Sequence, residues 1–181
     1  PNLDKLAKQG LLFKQMYSCG RCWPSRSALL TGHYPRALNI DPSVDVQFPT
    51  WTKFLPQYLA QQGYHSYHSG KWHAFGYDIG KAGFEHYYHN DAGDRHFTPD
   101  YHILDGDTVP QPKLEDGYYS ATGINDYLIR FLKVHKNKFP EDPFFAYLSF
   151  LSPHFPLHAL QEDIELFRET YDEGWDIIRE R

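Results

Sequence analysis

Cys19-Gly20-Arg21-Cys22-Trp23-Pro24-Ser25-Arg26-Ser27-Ala28-Leu29-Leu30-Thr31-Gly32 is the stretch from which the rest of the chain is best understood. It follows the apolar run Leu11 to Tyr17, which reads as a strand, and passes through a proline turn into a helical pattern closed by Gly32. A strand, a turn and a helix start put backbone N–H donors and the positive end of a helix dipole beside Cys22. Arg26, one turn into the helix, can reach back toward the same point. Negative charge is stabilised at such a position, as a site for an oxyanion requires. Taken alone, Cys19 and Cys22 stay open to three readings: a redox dithiol, half of a metal site, or two structural cysteines.

Outward from this stretch, Leu3 to Gly10 reads as a short amphipathic helix with Asn2 or Asp4 as cap, and His33 to Thr50 as loop. Trp51, Phe54, Leu55, Tyr58 and Leu59 recur at helical spacing up to Gly63, with Pro56 marking a kink or the first turn. Tyr64 to Ser69 predicts a strand that runs into Gly70-Lys71-Trp72-His73. Ala74 to Tyr118 shows no strong periodicity and is expected to be a long, functional loop excursion. Tyr119 to His135 carries Ile124, Tyr127, Leu128, Phe131 and Leu132 on one helical face. Phe144 to Phe150 is nearly all apolar, the pattern of a strand buried on both faces, and opens into Ser152-Pro153-His154-Phe155-Pro156. From Leu160 the chain is helical and polar, with a break near Gly174. Helices alternating with apolar strands predict an α/β fold around a mainly parallel sheet, with no internal repeat and no visible domain boundary.

The formal charge of −5 and the lack of any Lys/Arg block argue against a nucleic-acid surface. No apolar run approaches the ~18 residues of a membrane span. Aromatic residues at 17% favour a packed fold with an aromatic-lined cleft. The chain opens at a helix start without an initiator Met and stops in a charged helical stretch, so it is expected to be part of a longer one.

Sites in open α/β sheets form beyond the carboxyl ends of the strands. Three expected strand ends carry unusual polar groups: the first delivers Cys22 and Arg26, the second Lys71 and His73, the third His154. Two cations and two imidazoles around a cysteine-derived group suit a tetrahedral oxyanion. Lys and Arg bind the anion, and His donates a proton to a leaving oxygen.

Cys22-Trp23-Pro24-Ser25-Arg26, continued to Leu30-Thr31-Gly32, resembles the signature of the sulfatase family, in which the matching Cys is oxidised to formylglycine. Gly63 to His73 resembles the second signature of that family, and Phe144 to Pro156 its strand ending in a Pro-His-x-Pro turn. The Pro1–Gly10 helix, Gly83-Phe84-Glu85, the 119–135 helix and the tail Tyr171 to Asp176 agree, the tail with bacterial arylsulfatase-like members. The resemblance implies an alkaline-phosphatase-like α/β fold, with residues 1–181 forming part of a catalytic domain, and hydrolysis of a sulfate ester. In that scheme hydrated formylglycine at position 22 attacks sulfur, and His154 protonates the departing alcohol. The second hydroxyl then collapses the sulfated hemiacetal with His73 as partner. Lys71 and His154 bind the sulfate, Arg26 orients the formylglycine, and calcium binds position 22 and the sulfate. The resemblance also implies a small-molecule or glycan sulfate ester as substrate, a formylglycine-generating or anaerobic maturation enzyme as partner, and a periplasmic or secreted location.

Members of the family hold the metal with carboxylates on a strand before the first helix and on residues well past the equivalent of Arg181. Those ligands are expected outside this sequence, and the 181 residues alone are expected neither to bind calcium tightly nor to turn over. Asp41, Asp45, Asp78 and Asp91 are acidic but lack the matching context. His86, His89, His96 and His102 fit no standard zinc spacing and are expected at the surface or the substrate rim of the excursion. A phosphodiesterase or phosphonate hydrolase on the same fold, a Cys19–Cys22 thiol–disulfide protein and a non-catalytic binding protein are the alternatives.

Overall fold

The computed structural model describes residues 2–40, 47–74, 77–91 and 96–180, so that Pro1, Asp41 and Asp45 lie outside the described residues. Where the sequence shows no boundary, the chain separates into two compact units, Pro1–Thr52 with His73–Gly76 and Lys53–Trp72 with Tyr77–Arg181.

In the first unit, α1 (Asn2–Gln9) precedes an irregular segment and α2 (Cys22–Thr31). Trp23, Pro24, Ser27, Leu30 and Thr31 are the buried positions of α2, grouped along one helical face. Trp23 packs with Leu38, Ile40 and Phe48. Gly32 ends the helix at φ 73°, a left-handed conformation that glycine adopts without strain, and its N–H bonds the Ala28 carbonyl at 2.9 Å. The strand expected over Leu11–Tyr17 is not formed. A strand is stable only when a neighbour completes its ladder, and no described strand pairs with this run; Leu11, Phe13, Met16 and Tyr17 are exposed.

The second unit holds a sheet of β1 (His65–Gly70), β2 (His86–Asn90), β3 (His102–Leu104), β4 (Asp107–Thr108) and β5 (Phe144–Ser149), in the order β4-β3-β2-β1-β5. The three strands β2-β1-β5 are parallel, and β3 and β4 extend the sheet antiparallel. α3 (Leu55–Ala60) and α4 (Ser120–Lys138) pack on the sheet. Pro56 stands in the first turn of α3, where its missing N–H costs nothing. Ile124, Leu128, Phe131 and His135 form the buried stripe of α4 and meet Tyr67 and Tyr88 in the main core. Across the sheet, His68 packs against Trp72, Phe84 and Tyr147. Two short helices, α5 (Gln161–Leu166) and α6 (Trp175–Glu180), follow, with Gly174 between them at φ 89°.

Two expectations change here. The excursion 74–118 contains three strands, closed by Asp105-Gly106, a two-residue hairpin turn with both residues at positive φ. β5 is not buried on both faces: it lies at the edge of the described sheet, with Phe144 and Leu148 exposed.

At the start of β1, His65 Nδ1 lies 2.9 Å from Glu85 Oε2 and its Nε2 3.3 Å from Asp142 Oδ2. The Glu85 bond, opposed by partial burial and helped by Asp142, raises the His65 pKa above its ordinary value. A raised folded-state pKa gives stability that is complete below the unfolded value of about 6.5 and is lost as pH climbs through the folded one. Glu85→Gln should therefore lower the melting temperature more at pH 6 than at pH 8.5. An equal loss at both pH values would show that this pair contributes no charge-linked stability.

Candidate active site

Cys22 is the first residue of α2 and is exposed. The N-terminal N–H groups of a helix have no partner within it, and the helix dipole adds to their positive potential. No side chain caps this end: Arg21 precedes it in an extended conformation, φ −135° and ψ 152°. Ser25 instead secures the approach. Its hydroxyl donates to the Arg21 carbonyl at 2.7 Å and accepts from the Cys19 N–H at 3.1 Å, tying the Cys19–Arg21 turn to the first helical turn. Arg26 is four residues past Cys22, on the same helical face, and half-buried with its Nε out of solvent. His73 belongs to this unit as well and is half-buried at φ 49°, a conformation unusual for a side chain with a Cβ.

Lys71 and His154 belong to the second unit, where both follow parallel strands. The register Gly70↔Ser149 aligns the ends of β1 and β5. One residue on, the Lys71 N–H donates to the Ser149 carbonyl at 2.8 Å, and the Ser149 hydroxyl donates to the Lys71 carbonyl at 2.6 Å. Only Gly70 fits here: at φ 113°, a Cβ would overlap the Ser149 carbonyl oxygen and stand 3.1 Å from Ile124 Cγ2. Lys71 is 5% exposed, and burial of its long stem restricts where the ammonium can go. His154 is exposed, on a turn closed by its own N–H to the Leu151 carbonyl at 2.9 Å. Its Nδ1 lies 2.6 Å from the Phe155 carbonyl, an acceptor, so Nδ1 carries a proton and Nε2 is the nitrogen left for chemistry. The structure thus brings Lys71 and the His154 turn to one edge of the sheet, as the strand ends predict. Cys22 and Arg26 come from a loop-to-helix turn instead of the expected strand end.

Of the four histidines of the excursion, His86 is exposed, as expected of a surface residue, and His89 is half-buried, whereas His96 and His102 are buried. His86 and His89 stand on β2, and His102 on β3. His102 is buried, bonded to the Tyr88 hydroxyl at 2.7 Å and the Pro110 carbonyl at 3.0 Å. Tyr88 also meets the Tyr118 hydroxyl at 2.8 Å, and Asn90 donates to Tyr118 at 2.9 Å. Burial raises the Tyr88 and Tyr118 pKa values, so these phenols stay protonated. His96 is also buried. Sequence reasoning passed over Ser25 and Ser149. A Ser in a first helical turn is a frequent loop tether and signals the former; no sequence signal marks the latter.

Among the described residues no three His, Cys, Asp or Glu side chains gather to hold a metal ion. Asp78 Oδ1 accepts from the Lys81 N–H at 2.8 Å, and Asp91 lies 3.5 Å from His89 Nε2. The donors among the described residues do not form a calcium site.

The mixed sheet flanked by helices has the alkaline-phosphatase-like α/β architecture. The Sulfatase family model matches residues 1–179, and the chain belongs to the sulfatase family. It is 28% identical to an uncharacterized sulfatase of Schizosaccharomyces pombe, over 99% of this chain and 38% of that one. An arylsulfatase of Klebsiella aerogenes is 27% identical over 100% of this chain and 44% of its own. A protein solved in complex with its substrate D-glucosamine-2-N,6-O-disulfate superposes with a TM-score of 0.78 at 25% identity, over 94% of this chain and 33% of that one. The chain thus spans less than half the length of these relatives.

Proposed function

We propose that this chain carries the nucleophile and part of the sulfate pocket of a formylglycine-dependent sulfatase, which hydrolyses an organic sulfate monoester to alcohol and inorganic sulfate. The observation that carries the reading is Cys22, exposed at the first position of a helix whose terminal N–H donors have no side-chain cap. Exposure also leaves Cys22 open to a maturation enzyme, formylglycine-generating or anaerobic, and once converted and hydrated it supplies the oxygen nucleophile.

The other roles belong to this chain's own side chains. Arg26, on the Cys22 face of α2, orients the group at position 22. Lys71 holds sulfate oxygens and offsets their charge, and His154 adds a contact to the sulfate. His154 also acts as general acid: in its charged form Nδ1–H stays on the Phe155 carbonyl, and Nε2–H goes to the departing alcohol oxygen. His73 takes up the proton given off as sulfate is released. Family membership implies a divalent cation, calcium, which would neutralise developing charge. Its carboxylate ligands are not among the described residues, and none of the steps above runs through it. A sulfated sugar is the substrate of one structural relative, which favours a small-molecule or glycan sulfate ester here.

The test is the intact mass of the peptide containing Cys22, taken from the full-length protein, together with turnover of sulfate and phosphate esters. Conversion to formylglycine lowers the mass by about 18 Da, whereas a Cys19–Cys22 disulfide lowers it by about 2 Da. An unchanged thiol, or a loss of 2 Da, would overturn the proposal. Preference for phosphate diesters or phosphonates would move the chain to a different hydrolase on the same fold.

A further inference from the structure

His96 is a buried imidazole that none of the roles above uses. It is 1% exposed. Its main-chain carbonyl accepts both the Ser120 N–H at 2.7 Å and the Ser120 hydroxyl at 2.9 Å, which fixes its backbone to the first turn of α4. The ring then packs against the segment that follows the His154 turn. It meets His158 edge-on at 5.6 Å and lies 6.3 Å from the Tyr119 ring, whose hydroxyl donates to the His158 carbonyl at 3.2 Å. The His154 main-chain carbonyl faces the ring. Yet among the described residues neither His96 nitrogen makes a hydrogen bond of normal geometry.

Buried polar groups are satisfied in the great majority of cases, so an imidazole with both nitrogens out of solvent and neither in a hydrogen bond of normal geometry needs a reason. Packing alone does not provide one, since Phe would fill the space without a stranded donor. Burial, together with the His158 and His154 imidazoles, holds the His96 pKa below its ordinary value. The ring is therefore neutral near pH 7, with one N–H to give and one bare nitrogen. Bonds that serve catalysis are often long without substrate and tighten when it binds.

We infer that His96 is a positioning residue for His154: its ring N–H closes onto the His154 carbonyl when substrate is bound and holds that turn where Nε2 meets the leaving oxygen. His96 touches neither substrate nor the reacting atoms. It acts through a main-chain group on an otherwise exposed turn. The inference rests on the proposed role of His154 as general acid.

The experiment uses the mature full-length enzyme and a series of substituted phenyl sulfates running from nitrophenyl to methoxyphenyl. A general acid matters most when the leaving phenoxide is poor, so losing it steepens the dependence of kcat on leaving-group pKa. His154→Ala should steepen it. His96→Phe should steepen it in the same sense, costing about 10-fold more on methoxyphenyl than on nitrophenyl sulfate, with KM changed less than about 2-fold. His96→Asn or His96→Gln, which carry an amide N–H near the position of Nδ1 or Nε2, should recover part of the loss. A parallel fall across the series in all three His96 variants, or no fall, overturns the positioning role. If His154→Ala itself leaves the slope unchanged, the general-acid assignment fails first, and the inference falls with it for that separate reason.

Discussion

Cys22→Ala in the full-length protein is expected to lower kcat for sulfate ester hydrolysis by about 10⁴-fold or more, the scale on which removal of a catalytic nucleophile acts. The substitution removes one exposed side chain at the start of α2. The contacts that hold this turn belong to others: Ser25 to Arg21 and Cys19, and Trp23 to Leu38 and Ile40. Stability should accordingly change by no more than about 0.5 kcal/mol, so that the loss reads as chemistry and not as unfolding. Cys19→Ala is the informative partner. A thiol–disulfide cycle needs both sulfurs, whereas a formylglycine needs only position 22. Steady-state turnover of a sulfate ester by both variants, with melting curves alongside, checks the expectation. A Cys22→Ala enzyme that keeps more than a few per cent of its activity, or a Cys19→Ala enzyme that loses all of it, contradicts the assignment.

Gly70→Ala is expected to have the largest effect on folding. Two costs add. An L-residue at φ 113° is strained wherever it stands, and here the new methyl would also overlap the Ser149 carbonyl oxygen and lie 2.8 Å from its carbon. Backbone on a paired strand cannot yield as a flexible side chain would, so β1 and β5 must part at their carboxyl ends. That separation gives up the Lys71–Ser149 bonds and the Ser69 hydroxyl bond to the Ile124 carbonyl, 2.6 Å long, which docks α4 on β1. The sum is about 3–5 kcal/mol, large against the 5–15 kcal/mol of an ordinary domain. Urea unfolding of the full-length protein should show a lower midpoint, and much of the variant should fail to accumulate in soluble form. An unfolding free energy within about 1 kcal/mol of the parent would mean that the sheet edge is more compliant than its hydrogen bonds imply.

Much of this architecture is legible in the sequence because some segments carry their own instructions. The apolar stripe Ile124, Leu128 and Phe131 needs only helical periodicity to announce α4, and Gly63 and Gly70 bracket β1. Leu11–Tyr17 shows the limit of such reading. Its composition suits a strand, but a strand is a property of a pair, and its partner is not written in its own residues. The excursion 74–118 hides its strands for the opposite reason. β2 is His-Tyr-Tyr-His-Asn, polar by hydropathy, and its Tyr88 and Asn90 are buried because they find hydroxyl and imidazole partners 14 to 30 residues away. The short signal Asp105-Gly106 was available and marks the hairpin turn correctly. Of the proposed site, Cys22, Arg26, Lys71, His73 and His154 are visible as residue types at strand and helix ends. Ser149 and His96 are not, since the contacts that single them out involve main-chain groups that only the folded chain brings together.

The paired bonds between Lys71 and Ser149 have one more consequence. These residues are separated by most of the second unit along the chain, yet their spacing is fixed across a single ladder step. Chain length between them is therefore free to drift. The entropy of closing a longer loop rises only slowly with its length, by about 0.6 kcal/mol per doubling. Insertions or replacements within the intervening segment can alter the surface around this edge, while the distance between Lys71 and the turn bearing His154 stays constant. A scaffold of this kind lets substrate preference diversify without re-solving the chemistry.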